Sequence, residues 1–362
     1  MRALILSSLY GDSTQRGKLR AIAGMGCDVI AAIPGGVAGT DSGVRLAPIP
    51  TSGDPSNPST QRWNRRTLKR LLSEHKPEIV QVEEPPESAA ADAVASLCRR
   101  AGIPYALFSS ESLPRRLGLF ERVRASRTLG GASGVIGGNR LAEDLLRAQA
   151  TKAMSVVLPQ TGVALPPPIT SRQEPILSVG FVGRLVPERG LDFLVRALGQ
   201  TFGGWTLSIV GAGPAQETIE ALIEKLGLAS RIRWLGGVRR EALEELWPRL
   251  DCLVVPSRDT PTWVERQAPL LIEAMARGIA PIVTPAGALP EIVGPSGIVV
   301  REVEDLTTTL QQFVSDRAAC RAAGVAARHR VQDQFVDSAV AARTLEFWTT
   351  LVEYHQQSRR VS

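Results

Sequence analysis

The sequence predicts an α/β protein of two Rossmann-like, doubly wound domains facing each other across a cleft, and three observations lead there. Short apolar runs alternate with helix-like segments of ten or more residues, a spacing that calls for parallel βαβ units. The alternation halts once, at ALPPPITSRQEP (164–175), where three consecutive prolines favour an extended connector. It then restarts, and 362 residues exceed the usual size of one compact domain.

In the first half the expected strands are ALILS (3–7), CDVIAAIP (27–34), EIVQV (78–82), YALFSS (105–110), GVIGG (134–138) and SVVLP (155–159). Residues 35–60, rich in Gly, Pro, Ser and Thr, predict a long loop, and 61–75 a basic helix. Further helices are expected through 88–101 and near 119–130. The second half supplies ILSVGFVG (176–183), WTLSIVG (205–211), RIRWLG (231–236), DCLVVP (251–256), APIVT (280–284) and GIVV (297–300). Between the last three, a helix is predicted to begin near Pro269, since proline suits the first helical turn, and to stop at Gly278. In open α/β sheets ligands bind at the carboxyl ends of the strands, so the chemistry is sought in the turns that follow them.

Composition narrows the class. Hydrophobic residues make up 44% of the chain, enough for real cores, and charged residues 22%. Cys27, Cys98, Cys252 and Cys320 are scattered, without CxxC or metal-ligand spacing, and read as small buried hydrophobes of a reducing compartment. No stretch reaches the roughly 20 apolar residues of a membrane span, and the start is too short in apolar residues for a signal peptide, so a cytoplasmic protein is expected. The net charge of +6 is unevenly spread: residues 1–152 hold 21 Lys and Arg against 14 Asp and Glu, and the remainder 21 against 22. A basic first half suits an anionic partner, whether lipid surface, phosphorylated substrate or nucleic acid. Two segments carry it, RWNRRTLKRLL (62–72) and LPRRLGLFERVRASR (113–127). Each reads either as a surface for anionic headgroups or as an ordinary helix with buried leucines and solvated arginines.

Candidate site residues cluster after the strands. In GRLVPERG (183–190), Arg184 and Arg189 near a helix start can clamp a diphosphate; the plainer reading is a solvated pair with Glu188 beside Arg189. IVGAGP (209–214) gives a tight turn at Gly211 and Gly213, but Gln216 replaces the third glycine of a dinucleotide fingerprint, which disfavours NAD. In VVPSRDTPTWVERQAPLLIEAMARG (254–278), Pro256 and Ser257 end a strand, Glu265 precedes the helix, and Glu273 stands eight residues on. Two carboxylates there can accept hydroxyls of a sugar and a ribose while helix amides face phosphates, or can be a cap charge and a solvated face. A glycine turn at Gly287 follows. In the first half, Gly11 and Thr14 lie in the turn after the first strand. Glu83-Glu84-Pro85 and Glu111 end later strands, where they can bind acceptor hydroxyls or assist proton transfer.

Taken together, GRLVPERG, IVGAGP, RIRWLGGV, VVPS, Glu265-x7-Glu273 with AMARG, and GALPEIVG stand in the order and at roughly the spacings of glycosyltransferase family 4. The chain resembles those retaining enzymes of GT-B fold, closely over 176–300 and more loosely before. The resemblance implies a nucleotide-sugar donor, UDP- or GDP-linked, with Arg184 and Arg189 on its diphosphate, Glu273 on the ribose and Glu265 on the transferred sugar. Loop 232–238 and Pro256-Ser257 would border the base, and Gln267 and Ala268 would lie against the donor. Gln267-Ala268-Pro269 replaces a Gly-rich stretch usual in the family, Arg189 replaces a lysine, and Ser109-Ser110-Glu111 stands where many members have a histidine.

The expected division is a first, acceptor-side domain (1–163), a linker (164–175), a donor domain (176–345) and a last helix (346–362) packing back on the first. The expected activity is sugar transfer to a glycan or lipid-linked acceptor, without metal or other cofactor, Glu265 and Glu111 being the catalytic candidates. Peripheral contact with an anionic membrane is expected, and nucleic acid is not. The alternatives are a non-catalytic partner subunit and a nucleotide-sugar 2-epimerase of the same fold.

Overall fold

The computed structural model describes residues 1–54, 61–150, 152–169, 175–237 and 240–361. The chain divides into two compact units, one of Met1–Ala164 with Val336–Ser362 and the other of Leu165–Phe335. The crossing back at Val336 differs from the expected 345/346 boundary, which falls inside one continuous helix.

The first unit begins with β1 (Arg2–Leu6), α1 (Gly17–Gly24) and β2 (Asp28–Pro34). The long loop expected over 35–60 is instead partly strand: β3 (Gly39–Asp41) and β4 (Val44–Ile49) form a hairpin, and β5 (Thr51–Ser52) pairs with β6 (Arg62–Trp63). The hairpin turns through Ser42 and Gly43 at φ 50° and 88°, the doubly positive geometry that suits tight hairpins. Residues 55–60 lie outside the described residues. The expected helix over 61–75 is shortened to α2 (Arg65–His75), because Asn64 caps it by accepting from Thr67 N at 3.0 Å. There follow β7 (Ile79–Val82), α3 (Ala89–Ala101), β8 (Tyr105–Ser109), α4 (Leu119–Gly130), β9 (Gly134–Gly137), α5 (Arg140–Gln149) and β10 (Met154–Val157).

Apart from the β5–β6 pair, the strands form one sheet in the order β10-β9-β8-β7-β1-β2-β4-β3, parallel except for the edge strand β3. Both faces are covered, so β1 reads as an unbroken apolar run: Leu4 and Leu6 face one core and Ala3 and Ile5 the other. The first face packs α2 to α5. Trp63, Leu68, Leu71 and Leu72 of the basic segment 62–72 are all buried there while Arg66, Lys69 and Arg70 are exposed, the ordinary amphipathic arrangement.

In the second unit come β11 (Leu177–Val182), α6 (Leu191–Gly199), β12 (Trp205–Val210), α7 (Gln216–Lys225), β13 (Ile232–Trp234), α8 (Arg240–Leu246), β14 (Cys252–Val255), α9 (Pro269–Ala276), β15 (Ala280–Val283), α10 (Leu289–Val293), β16 (Ile298–Val299), α11 (Val303–Ser315) and α12 (Arg317–Gln334). Its all-parallel sheet runs β13-β12-β11-β14-β15-β16. The last helix, α13 (Asp337–Val361), returns to the second face of the first sheet beside α1. Its Trp348 is fully buried and donates Nε1–H to Gln81 Oε1 on β7 at 2.7 Å.

The strand orders fix where binding residues belong. In the second unit β11 has β12 on one side and β14 on the other, so winding reverses between β11 and β14. In the first unit it reverses between β1 and β7. Crevices open at such switch points, outside the carboxyl ends of the two strands. All four cysteines are buried and free. No helix among the described residues is long and apolar enough to cross a membrane.

Candidate functional site

The switch point of the second unit collects the loops after β11 and β14, and their interlocking is backbone against backbone. Gly211 follows β12 at φ 150°, and a side chain there would stand 1.8 Å from the carbonyl oxygen of Gly183. Its own N–H donates to Gly236 O at 2.6 Å. Gly213 lies similarly against the backbone of Leu185. The close approach expected of both glycines is therefore taken up by the chain itself, and they shape the loop that carries Arg184. The same holds at Gly287, at φ 48°, where a side chain would meet the backbone oxygen of Glu265 at 2.1 Å. Ala288 N–H donates to that oxygen at 2.8 Å, and Gly287 N–H to Asp259 Oδ2 at 3.0 Å. The loop after β15 thus braces the loop after β14.

This bracing seats Glu265 in the interior, 6% exposed. One of its carboxylate oxygens accepts from Ser257 Oγ–H at 3.2 Å and forms a short ion pair with the Arg189 guanidinium. Arg189 rises from the turn Pro187–Arg189 ahead of α6, and its guanidinium also stacks over Trp263, 5.2 Å from the ring centroid. The plainer alternative, a surface pair with the neighbouring Glu188, is not the pair it makes. Arg189 Nε is buried with no hydrogen-bond partner among the described residues. Burial pushes the Glu265 carboxyl above its ordinary value, Arg189 and Ser257 draw it back, and Asp259 adds to the rise.

Ser257 is anchored in turn, its carbonyl accepting from Thr284 Oγ1–H, and Pro256 beside it is buried. Arg184 is exposed on the loop after β11. Gln267 is half-buried, and Ala268 is held in the left-handed region at φ 38°, with no side chain capping the start of α9. Glu273, one turn into α9, is 17% exposed at its side chain and lies 4.0 Å from Arg277, whose guanidinium binds Glu244 at 2.7 Å. Of loop 232–238, position 238 lies outside the described residues, as do 170–174 of the proline-rich connector.

At the switch point of the first unit Glu83, among the residues lining a cavity, has a side chain 0% exposed and paired with Lys18, itself 1% exposed, at 3.0 Å. It also accepts from Tyr10, Gln81 and Gln160 at 3.1, 2.7 and 3.1 Å. Four donors saturate the carboxylate, and the Tyr10 phenol stays neutral, pushed well up by burial and by Glu83. Glu84 accepts from Ser8 N–H and Oγ–H, both at 2.6 Å. Gly11 and Thr14 are exposed, with Asp12 accepting from Thr14 N–H at 2.8 Å and open space around the Gly11 α-carbon. Glu111 is half-buried after β8, lining a cavity with Ser109 and Ser110.

Sequence reasoning missed Trp263 and Asp259, which complete the surroundings of Glu265, and Lys18 and Tyr10, which immobilise Glu83. The signal for Trp263 was an aromatic in a polar loop directly before Glu265. Nothing distinguished Lys18 from its basic neighbours Arg16 and Arg20 at the start of α1.

Residues 170–330, almost the whole second unit, match the family model of glycosyl transferases group 1. A GDP-mannose-dependent alpha-(1-6)-phosphatidylinositol monomannoside mannosyltransferase of Mycolicibacterium smegmatis is 32% identical over 174 residues, 46% of each chain. The chain thus spans about half the length of the curated relatives it matches. A glycosyltransferase structure from Rickettsia africae superposes with a TM-score of 0.70 at 15% identity, over 97% of this chain and 98% of that one. Anabaena HepE in complex with UDP superposes with a TM-score of 0.67 at 18% identity, over 97% and 100%. The chain therefore has the two-unit α/β architecture of GT-B glycosyltransferases, and its residues 170–330 match the glycosyl transferases group 1 model.

Proposed function

We propose that this chain is a GT-B glycosyltransferase that moves a sugar from a UDP- or GDP-linked donor to a glycan or lipid-linked acceptor, with retention and with no cofactor beyond the donor. The cluster of Arg189, Ser257 and Glu265 at the second unit's switch point carries the reading, because it joins a cation suited to diphosphate with a carboxylate suited to sugar hydroxyls. These two groups pair with each other through one guanidinium nitrogen, while Arg189 Nε keeps a donor to spare. A diphosphate offers Arg189 a more highly charged partner, and its departure from Glu265 frees the carboxylate to accept from the donor sugar. Arg184 closes the clamp from the exposed side, and Glu273 takes the ribose hydroxyls. As the bond to the leaving diphosphate breaks, fixed guanidinium charge meets the negative charge that develops. The GDP-mannose dependence of the mycobacterial relative and the UDP bound to Anabaena HepE support both bases as candidates.

Glu111, beside Ser109 and Ser110, is the acceptor-side carboxylate, and Gly11 and Thr14 leave room for an acceptor group. The basic first half supports peripheral contact with an anionic membrane on its cytoplasmic face. A second reading, a non-catalytic partner subunit, is favoured by one observation: Gln267-Ala268-Pro269 removes one amide from the start of α9 that a glycine-rich loop would present.

Calorimetry with a panel of UDP-, GDP- and ADP-sugars separates the two. Binding with slow donor hydrolysis supports the transferase; absence of binding to every nucleotide diphosphate sinks it. Glu273→Ala is expected to weaken nucleotide binding, and Glu265→Ala chiefly to lower turnover. Equal and negligible effects from both would place the site elsewhere.

A further inference from the structure

The first unit contains a cavity of about 700 Å³ that no step of the proposed transfer needs in full. Such a volume lies within the range of small-molecule sites. Its two ends differ in chemistry. At the carboxyl end of β8 it is lined by Ser109, Ser110 and Glu111. Further in it runs along α4 and α5, where Leu129 and Leu146 are 2% and 4% exposed and Leu145 is half-buried. That end is mainly apolar, with Ser126 and Gln149 as its polar side chains, so it suits hydrocarbon better than a sugar.

The opening to solvent is basic. Arg115, Arg116 and Arg122 all line the cavity and all are exposed; Arg115 is held by Glu87 at 2.8 Å. Beside them the first turn of α4 presents Leu119, Phe120 and Val123 at 74%, 80% and 47% exposure. Three large apolar side chains in water within five residues, next to arginines, make a patch whose chemistry suits a lipid headgroup region. By contrast α2, equally basic, spends its leucines on the core.

We infer that this cavity binds one anionic, phosphate-bearing lipid, with the phosphate on Arg116 and Arg122 and the hydrocarbon chain against Leu129, Leu145 and Leu146. This deepens the transferase reading by naming the acceptor class. Only the word acceptor rests on that reading, since the lipid site stands on the cavity alone. The polar end, with Glu111, is then where an acceptor hydroxyl of the same lipid lies.

Dodecyl phosphate, kept below its micelle-forming concentration, is the probe for calorimetry on the full chain. Dodecyl maltoside serves as the uncharged amphiphile of equal chain, and butyl phosphate as the anion without the chain. The expected result is one dodecyl phosphate per protein, bound at least about tenfold more tightly than either comparator. Arg116→Glu with Arg122→Glu, both at exposed positions, is expected to weaken it by about tenfold or more, and Leu145→Trp to abolish it by filling the chain site. If Leu145→Trp loses its native circular dichroism, the arginine pair decides alone. Equal affinity for butyl phosphate reduces the site to an anion contact, and equal affinity for dodecyl maltoside reduces it to a nonspecific apolar surface. Either result, or unchanged binding in the arginine variant, overturns the inference. Nucleotide binding is measured on the same sample: lipid bound without nucleotide leaves the site and removes its acceptor role, and nucleotide bound without lipid leaves only the transferase.

Discussion

Ala268 carries a cost that a glycine would not. Its left-handed backbone, φ 38° and ψ 57°, forces an L side chain into a conformation disfavoured by about 1–2 kcal/mol. Ala268→Gly is therefore expected to raise stability by up to about 1 kcal/mol, the gain reduced by glycine's greater freedom when unfolded. Thermal denaturation that shows no rise would mean that neighbours have relaxed the strain. Glu265 is a second local liability. Because burial raises its folded-state pKa, the native protein holds this proton more tightly than the unfolded chain does. Its destabilising contribution is thus fully present above the folded-state pKa and fades as pH falls through that value toward the ordinary carboxylate range. Glu265→Gln, which keeps the contact to Ser257, is expected to unfold at a higher temperature than the native sequence at pH 7, with the gap narrowing on acidification. A gap that widened with acid would show that the Arg189 pair outweighs desolvation. Lys18 is the opposite case. Its pair with Glu83 has essentially no exposure on either side, and Lys18→Met leaves a buried carboxylate without its cation, at a cost of about 3–5 kcal/mol in unfolding free energy.

Whole elements, unlike their contacts, were largely readable from sequence. Strands of a buried sheet announce themselves as apolar runs, and twelve of the described strands lie within or across the runs named from sequence: β1, β2 and β7 to β16. The hairpin β3–β4 was missed because β4, next to the edge strand β3, mixes Arg, Pro and Ala in half-buried positions, and its turn residues resembled loop composition. The glycine turns were legible as close approaches, but not what approaches: Gly211 meets the backbone of Gly183, and Gly287 that of Glu265. Arg189 and Glu265 stand 76 positions apart, so their pairing follows only from strand order, which places β14 beside β11 rather than beside β13. The same logic predicts the weight of Gly211. Gly211→Ala would drive its methyl group into the Gly183 backbone, and it is expected to destabilise the second unit by more than about 2 kcal/mol while leaving the first unit's spectroscopic signal intact. An unchanged denaturation curve would mean that the three loops are not mutually braced.

For the molecule as a whole, the decisive feature is that the chain leaves its first unit near Ala164 and re-enters it at Val336. The first unit is therefore built from two distant pieces, and the second from one uninterrupted stretch. The returning helix α13 supplies Ala341, Phe347, Trp348, Leu351 and Val352 to one face of the first sheet. Burying a tryptophan of this kind is worth about 3–5 kcal/mol on truncation, against a total stability for ordinary domains of about 5–15 kcal/mol. A chain ending at Phe335 should consequently lose the first unit's cooperative unfolding. The second unit carries its own core around Phe181, Leu194, Trp205 and Phe313 and needs nothing from α13. Residues 165–335 alone are expected to fold and, on the donor reading, to bind nucleotide diphosphate. Ligand that binds only the native state stabilises it by about 2.7 kcal/mol at a hundredfold excess over its dissociation constant. UDP or GDP should thus raise the melting temperature of this fragment, and Glu273→Ala should diminish the rise. A folded fragment indifferent to both nucleotides, from a full chain that does bind one, would show that the first unit contributes directly to donor binding.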